Sequence, residues 1–476
     1  MVSMIPFGLL AGFAGDREIR ITKLDEIGFG FRLCKENQMM ASGNTKAGKD
    51  KTNTGKDKTN TVPQQLFRLC FYDLEKGEYN EVKISFYDLK KETDEPSEFY
   101  EKFWVFVDQP DYKQAVQSLL RQYSRYIHLK LEEDDSGLAK NMTGYPGELD
   151  QVRCESLETQ MQIWDEEVQA VSLEADSDRK EIWEKLNAEL ALELDHKEMY
   201  VDYLQLSFAE FLKKYAENSI GICKKLLQSE RKPERLYIGN QFCHLLFPEQ
   251  DMLFKLMEKA VKEHLKITLV FSYVREYKLD FISRLLCEID KWCRLHNCQI
   301  EVVVNDWGMA EILKNQTENL IPCLGTLLNK RKKDPRISYK TGDQKLFKEN
   351  SLNAQFYRNF LRNTYRICRF EWETCGYTQL FPIGKNSLHI PFYQTNTSQY
   401  CPLFAVCANG ERGRQKLIKN CPEYCREYVL LYPEHLHMMG RYNSLFGIDM
   451  DALKDIKVLE AYIKNGVDRL VIGEQK

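Results

Sequence analysis

The spacing of apolar side chains changes character twice along the chain. Between residues 17 and 108, short runs alternate apolar and polar positions: "REIRITKL", "GFGFRLC", "QLFRLCFYDL", "NEVKISFYDL" and "FWVFVD". A period of two, rich in aromatic and β-branched residues and punctuated by Gly, Asn and Asp, predicts antiparallel strands. The next run, "PDYKQAVQSLLRQYSRYIHLKL", has helical spacing. Residues 1–130 are therefore expected to form a small β-barrel or sandwich-like domain with one closing helix. The stretch "GKDKTNTGKDKTNT" at 48–61 repeats seven residues in tandem and contains no apolar side chain. It has no surface to bury against the cost of ordering, so 43–62 is expected to be a disordered insert.

From 151 to 230 the chain is rich in Glu, Leu, Lys and Ala, with apolar residues at helical spacing. We expect two or three amphipathic helices there and assign 131–230 as an acidic helical connector. Beyond 231 the pattern changes again. Near-continuous apolar runs alternate with amphipathic helices: "RLYIG" (235–239), "ITLVFS" (267–272), "IEVVVND" (300–306) and "IPCLG" (321–325), then "YRICRFEW", "SLHIPFY", "YVLLYP" and "RLVIG" (469–473). Strands apolar on both faces and separated by helices mean βαβ units and a parallel sheet. Eight such strands predict an α/β fold with a (β/α)8-like barrel over 231–476. The chain ends just after the eighth strand, so the usual closing helix is expected to be missing.

Composition narrows the class without naming a function. The 476 residues are 43% hydrophobic and 12% aromatic, enough for more than one core. The net charge is −4, yet residues 131–200 carry twenty acidic against six basic side chains, a local −14. A solvated helical surface able to meet a protein partner is the usual meaning of such a block. No apolar run approaches the roughly 20 residues that span a bilayer, so no membrane segment is expected. The apolar start "MVSMIPFGLLAGFAG" lacks a basic leader region. Fifteen scattered cysteines fit a reduced compartment better than a disulfide scaffold, and the cytoplasm is the expected location.

The cysteines carry the clearest chemistry. "CANGERGRQKLIKNCPEYC" places Cys407, Cys421 and Cys425 within nineteen residues, the last two as C-x3-C, with Cys401 six residues upstream. Thiolates select zinc, cuprous copper or iron–sulfur clusters. Spacing alone leaves zinc and iron–sulfur open, and leaves the fourth ligand open.

Four stretches resemble the collagenase-like U-32 peptidase family, in that family's order: "RLYIGNQFC", "IEVVVNDWGMAEIL", "VCANGERGRQKLIKNCPEYCRE" and "LEAYIKNGVDRLVIG". They cover about 233–476, and the likeness is greatest to the subunits of oxygen-independent ubiquinone hydroxylation. The resemblance implies a (β/α)8-like barrel with a [4Fe-4S] cluster on Cys243, Cys407, Cys421 and Cys425, with Cys401 as the spare. It also implies a redox enzyme or enzyme subunit that modifies an aromatic or nucleobase substrate without oxygen, with a partner subunit of the same family. A non-catalytic binding or assembly protein with a structural cluster or zinc ion is the alternative. A peptidase has less behind it, since no nucleophile arrangement supports one.

Four further features are weighed against ordinary structural roles. Asn305 and Asp306 follow a strand and could face the barrel mouth to bind a substrate hydroxyl or act as an acid–base pair, or cap the next helix. The tract "NKRKKDPR" (329–336) offers Lys330, Arg331 and Arg336 to a phosphate-bearing substrate or to nucleic acid, or is a solvated loop. His435 and His437 form an H-x-H pair without a third ligand at regular spacing. Cys287, Cys293 and Cys298 read as core or surface thiols, whereas Cys368 and Cys375 are possible competitors for a cluster.

Overall fold

A computed structural model describes residues 9–15, 17–34, 66–73, 78–92, 100–131, 154–171, 187–331, 333, 348–377, 379–410, 416–432 and 434–473. The expected insert 43–62 lies outside them. The chain divides into two compact units, the first built mainly from residues before 151 and the second mainly from those after it.

The first unit is a seven-stranded antiparallel sheet. Its strands are β1 (Leu10–Ala14), β2 (Arg17–Asp25), β3 (Gly28–Cys34), β4 (Phe67–Asp73), β5 (Glu78–Ile84), β6 (Asp88–Glu92) and β7 (Tyr100–Phe106), in the order β5-β4-β1-β2-β3-β7-β6. Helix α1 (Pro110–Leu131) lays Tyr112, Val116 and Leu119 into its core. Strands β3 and β4 stand three places apart, about 14 Å in a flat sheet. Yet the Phe29 and Phe31 rings lie 5.5 and 5.4 Å from the Phe67 ring. The sheet is therefore strongly curled, without the hydrogen-bonded closure of a barrel. The apolar start of the chain supplies β1, a central strand paired on both sides.

The second unit holds a closed barrel of eight parallel strands. In order they are β9 (Glu189–Leu194), β10 (Arg235–Gly239), β11 (Lys266–Val270), β12 (Ile300–Val304), β13 (Leu320–Leu324), β14 (Arg369–Glu373), β15 (Lys385–Ile390) and β20 (Arg469–Ile472), which closes on β9. Two expectations need correction. The first barrel strand lies inside 131–230, so this segment is not merely a helical connector. It supplies β9 and, as expected, helices: Lys197–Gln205, Phe208–Glu217 and Gly221–Gln228. "ELALEL" consists of good helix formers, but its leucines alternate strictly. Leu190, Leu192 and Leu194 pack outward, and Ala191 joins the inner layer with Tyr237, Val270, Val303, Cys323 and Val471.

The second correction concerns "YVLLYP". It forms β17 (Tyr428–Leu431) of a separate antiparallel sheet, ordered β16-β19-β18-β17-β8. The other members are β8 (Cys154–Ser156), β16 (Phe392–Thr397), β18 (Met438–Arg441) and β19 (Ser444–Ile448). This sheet is mostly an insertion between β15 and β20.

A helix that precedes β9 packs against the barrel from the N-terminal side. Helix α2 (Leu157–Val171) buries Leu157, Met161, Trp164 and Val168 at i, i+4, i+7 spacing. It packs in the seam between the helices that follow β9 and those that precede β20. A side chain on Gly221 would meet Val168 at 2.9 Å and the Leu453 carbonyl at 2.8 Å, and Gly221 has φ +52°. Glycine is needed there on both counts.

The N-terminal end of the barrel is filled by charge. Arg469 bonds Glu189 and Glu301 at 2.6 Å each, and Arg235 bonds Glu189 at 3.1 Å. Arg369 forks onto Asp468 with two 2.9 Å bonds. Burial pushes Glu189 and Glu301 upward, but the arginines more than offset it and hold both at about 2.

Candidate metal centre

Four cysteines from distant parts of the chain line one cavity of about 390 Å³ beyond the C-terminal ends of the barrel strands. They are Cys243, Cys401, Cys421 and Cys425. Cys243 sits in the turn after β10, where the Asn240 side-chain oxygen accepts from the N–H groups of Phe242 and Cys243 at 2.9 Å each. Cys401 caps helix α10 (Pro402–Asn409), its sulfur accepting from the Phe404 N–H at 3.3 Å. The Cys421 sulfur accepts from the Glu423 N–H at 3.3 Å. Cys425 is buried in the turn Tyr424–Arg426, and Arg441 donates to its carbonyl.

Asp195, just past β9, ties this wall together. It accepts from Asn240 at 3.3 Å and from the Tyr442 hydroxyl at 2.6 Å, and His196 lies 2.9 Å away. Tyr442 lines the cavity, and its carbonyl accepts from the Cys401 thiol at 2.8 Å. Burial, opposed by that loop's N–H groups and reinforced by Cys401 and Cys421, pushes the Cys243 thiol up to about 12. Burial, with Cys421 adding to it, pushes Cys401 up to about 11. Burial raises Cys425 too, with Cys243, Cys401 and Cys421 contributing.

Four adjacent sulfurs cannot all lose their protons unless positive charge arrives with the ligand. Four sulfurs in one cavity wall, with backbone N–H groups on those of Cys243, Cys401 and Cys421, have the donor chemistry of a thiolate-bound metal centre. Among the described residues, no three His, Cys, Asp or Glu side chains group tightly enough to hold one metal ion.

The placement of Cys407 departs from expectation. It lies on α10 six residues beyond Cys401, about 240° further round the helix. Its sulfur faces that of Cys154 on β8, 3.6 Å away, and Cys407 is not part of the cavity wall. Cys401, expected as the spare, lines the cavity, and Cys407 does not. Cys293 is buried, and of the two possible competitors Cys375 is buried and Cys368 exposed, neither lining the cavity.

The remaining candidates take structural roles where they can be followed. Buried Asn305 donates to the Phe271 carbonyl at 2.8 Å and accepts from the Leu327 N–H at 3.1 Å. Asp306 caps helix α8 (Trp307–Gln316) through the Met309 N–H and also accepts from Val274. Both side chains thus make the capping and loop-bracing bonds that were weighed against a functional role. Among the described residues of the basic tract, Lys330 is exposed and Arg331 and Lys333 are half-buried. Arg331 stacks over Trp372 and Tyr377, with Cζ 5.3 and 5.6 Å from the ring centres, and Lys333 pairs with Glu373. Arg331 and Lys333 are thus engaged by the fold. Arg336 lies outside the described residues, as does the side chain of His435. His437 pairs with Glu167 at 2.9 Å.

A second cluster had no sequence expectation. His389, on β15, lies between two carboxylates, 2.6 Å from Glu193 and 2.9 Å from Glu371. The buried Tyr237 hydroxyl reaches Glu371 at 3.2 Å and receives a bond from Arg469 at 2.8 Å. Gln241, two residues before Cys243, reaches the His389 ring at 3.4 Å. Four strands supply these groups, so no local motif could reveal them. The period-two pattern does place Glu193, Tyr237, Glu371 and His389 on inward positions once β9 is recognised.

Burial disfavours the His389 cation, but Glu193 and then Glu371 outweigh it and raise the ring to about 10. The folded value exceeds the ordinary one of about 6.5. The resulting stability is therefore complete below pH ~6.5 and lost as pH rises through about 10. In ¹⁵N-histidine NMR, the His389 ring is expected to remain a cation through pH 8.5. A midpoint near the ordinary histidine value would refute this account of the cluster.

Among the described residues, no helix is long and apolar enough to cross a membrane. No family model, no curated protein and no solved structure matches the chain.

Proposed function

We propose that this chain is a redox protein that holds an iron–sulfur cluster on Cys243, Cys401, Cys421 and Cys425. The observation that carries the reading is the meeting of these four cysteines on one cavity wall. Cys243 is separated from the others by about a third of the chain, so proximity in sequence does not account for the grouping. Sulfurs distributed around a cavity of about 390 Å³ suit a group that presents one metal atom to each. Such a cluster, when bound, accepts and releases single electrons, and four cysteine ligands leave no iron open to substrate.

The chain's own residues supply the rest. Asn240 and Asp195 fix the turn that aims Cys243. Gln241 of the same turn reaches His389, so a proton-bearing group stands beside the electron-carrying one. Hydroxylation of an aromatic ring or nucleobase with water as the oxygen source releases two electrons and two protons, and the cluster would pass those electrons singly to an external acceptor. We propose that reaction class on the U-32-like order of the motifs, with the chain acting as the enzyme or as one subunit of it.

The test is purification without oxygen, followed by iron, sulfide and zinc analysis. About four irons and four sulfides per chain, with a broad brown absorbance bleached by dithionite, are expected. Stoichiometric zinc without iron would leave a structural metal site in a binding or assembly protein and end the redox reading.

A further inference from the structure

Outside the cavity, the Cys154 and Cys407 sulfurs face each other at 3.6 Å across 253 residues of chain. Both side chains are half-buried, so a small thiol reagent can reach them. Cys154 begins β8, the edge strand that pairs with β17, and Cys407 lies on the helix that Cys401 caps. A bonded pair needs sulfurs about 2 Å apart, and side-chain rotation at two surface-facing positions can close the remaining gap. The other close thiol pair, Cys293 and Cys298, differs because Cys293 is fully buried in the barrel core.

We propose that Cys154 and Cys407 form a reversible dithiol–disulfide couple that, when oxidised, pins the Cys401-bearing helix to the small sheet. The proposal rests on the positions of these two sulfurs and stands whichever metal the neighbouring cavity takes.

The oxidant is a low-molecular-weight disulfide, RSSR. The Cys154 thiolate attacks one of its sulfurs, forming a mixed disulfide and releasing RS⁻, which takes up a proton. The Cys407 sulfur then loses its proton, attacks the Cys154 sulfur and releases the second RS⁻, which is protonated in turn. Two thiols lose two electrons and two protons, and RSSR becomes two RSH.

Oxidation places a constraint on α10, and reduction lifts it. Cys401 sits at its first cap and Cys407 near its end, so oxidation fixes a helix already anchored at one sulfur. The couple could thereby report the redox poise of the surroundings to the cavity wall without changing the cavity's ligands.

The full-length protein is equilibrated without oxygen in buffers of glutathione and glutathione disulfide, then alkylated and digested. A single Cys154–Cys407 cross-linked peptide is expected, its fraction rising with the disulfide share and reversing with reductant. The parent chain should lose two alkylatable thiols of its fifteen cysteines. Cys407→Ser should hold glutathione on Cys154, and Cys154→Ser should give no cross-link. Iron content should be unchanged in both variants, which separates this proposal from the cluster reading. Alkylation of both thiols at every ratio overturns it. Loss of iron in Cys407→Ser also overturns it, because Cys407 would then be a metal ligand.

Discussion

Cys401→Ser is expected to abolish iron binding, with the absorbance lost in step, whereas Cys407→Ser keeps both. The expectation runs against the motif, because Cys407 is the cysteine that stands in the compact C-x13-C-x3-C stretch. Geometry decides otherwise. Cys401 caps α10 with its sulfur on the cavity, and the Tyr442 carbonyl and Phe404 N–H fix its rotamer. Cys407 points at Cys154. Serine keeps nearly the size of cysteine and can still cap a helix. The loss at Cys401 should therefore appear in metal content and not in folding. Cys243→Ser, Cys421→Ser and Cys425→Ser should behave like Cys401→Ser. Purified proteins are compared by iron and sulfide per chain and by thermal unfolding of the metal-free forms. Iron retained in Cys401→Ser and lost in Cys407→Ser would restore the ligand set read from the motif.

The exchange between Cys401 and Cys407 shows what local spacing carries. It ranks cysteines by their distance along the chain, while helix geometry ranks them by face. Six residues of helix separate these faces by about two-thirds of a turn. The barrel was legible for a different reason. Its strands are buried on both sides, so "RLYIG", "IEVVV" and "RLVIG" show as apolar runs whatever their neighbours. The strand Glu189–Leu194 broke that rule because its inward positions are Glu189, Ala191 and Glu193. Two of these carry the charge that fills the barrel and the mouth. A charged lining removes the apolar run and leaves only alternation, which the surrounding helix formers conceal. "YVLLYP" failed in the opposite sense, being apolar enough for a barrel strand but paired antiparallel beside β18. The His389 cluster was invisible because its members come from four strands and meet only when the barrel closes.

That same charged lining sets the second large expectation. Arg469→Met is expected to destabilise the protein by about 3–5 kcal/mol at pH 7, the usual cost of stripping one partner from a buried ion pair. Arg469 is 1% exposed and is held by Glu189 and Glu301 together. Glu189 belongs to the first barrel strand and Arg469 to the last, so the bonds cross the seam where the barrel closes. Methionine preserves the volume, leaving charge as the main loss. Arg235 still reaches both carboxylates at 3.1 and 3.2 Å, which favours the lower end of the range. The pH dependence distinguishes this from loss of packing. Both carboxylates lie at about 2 in the folded chain, below the ordinary 4.5. Their contribution is thus present above pH ~4.5 and lost as pH falls towards 2. Without Arg469 that contribution shrinks, so the gap between parent and variant should narrow from pH 7 to pH 3.5. Urea denaturation at both pH values measures it. An equal gap at both would assign the loss to shape, and the charged seam would not be what closes the barrel.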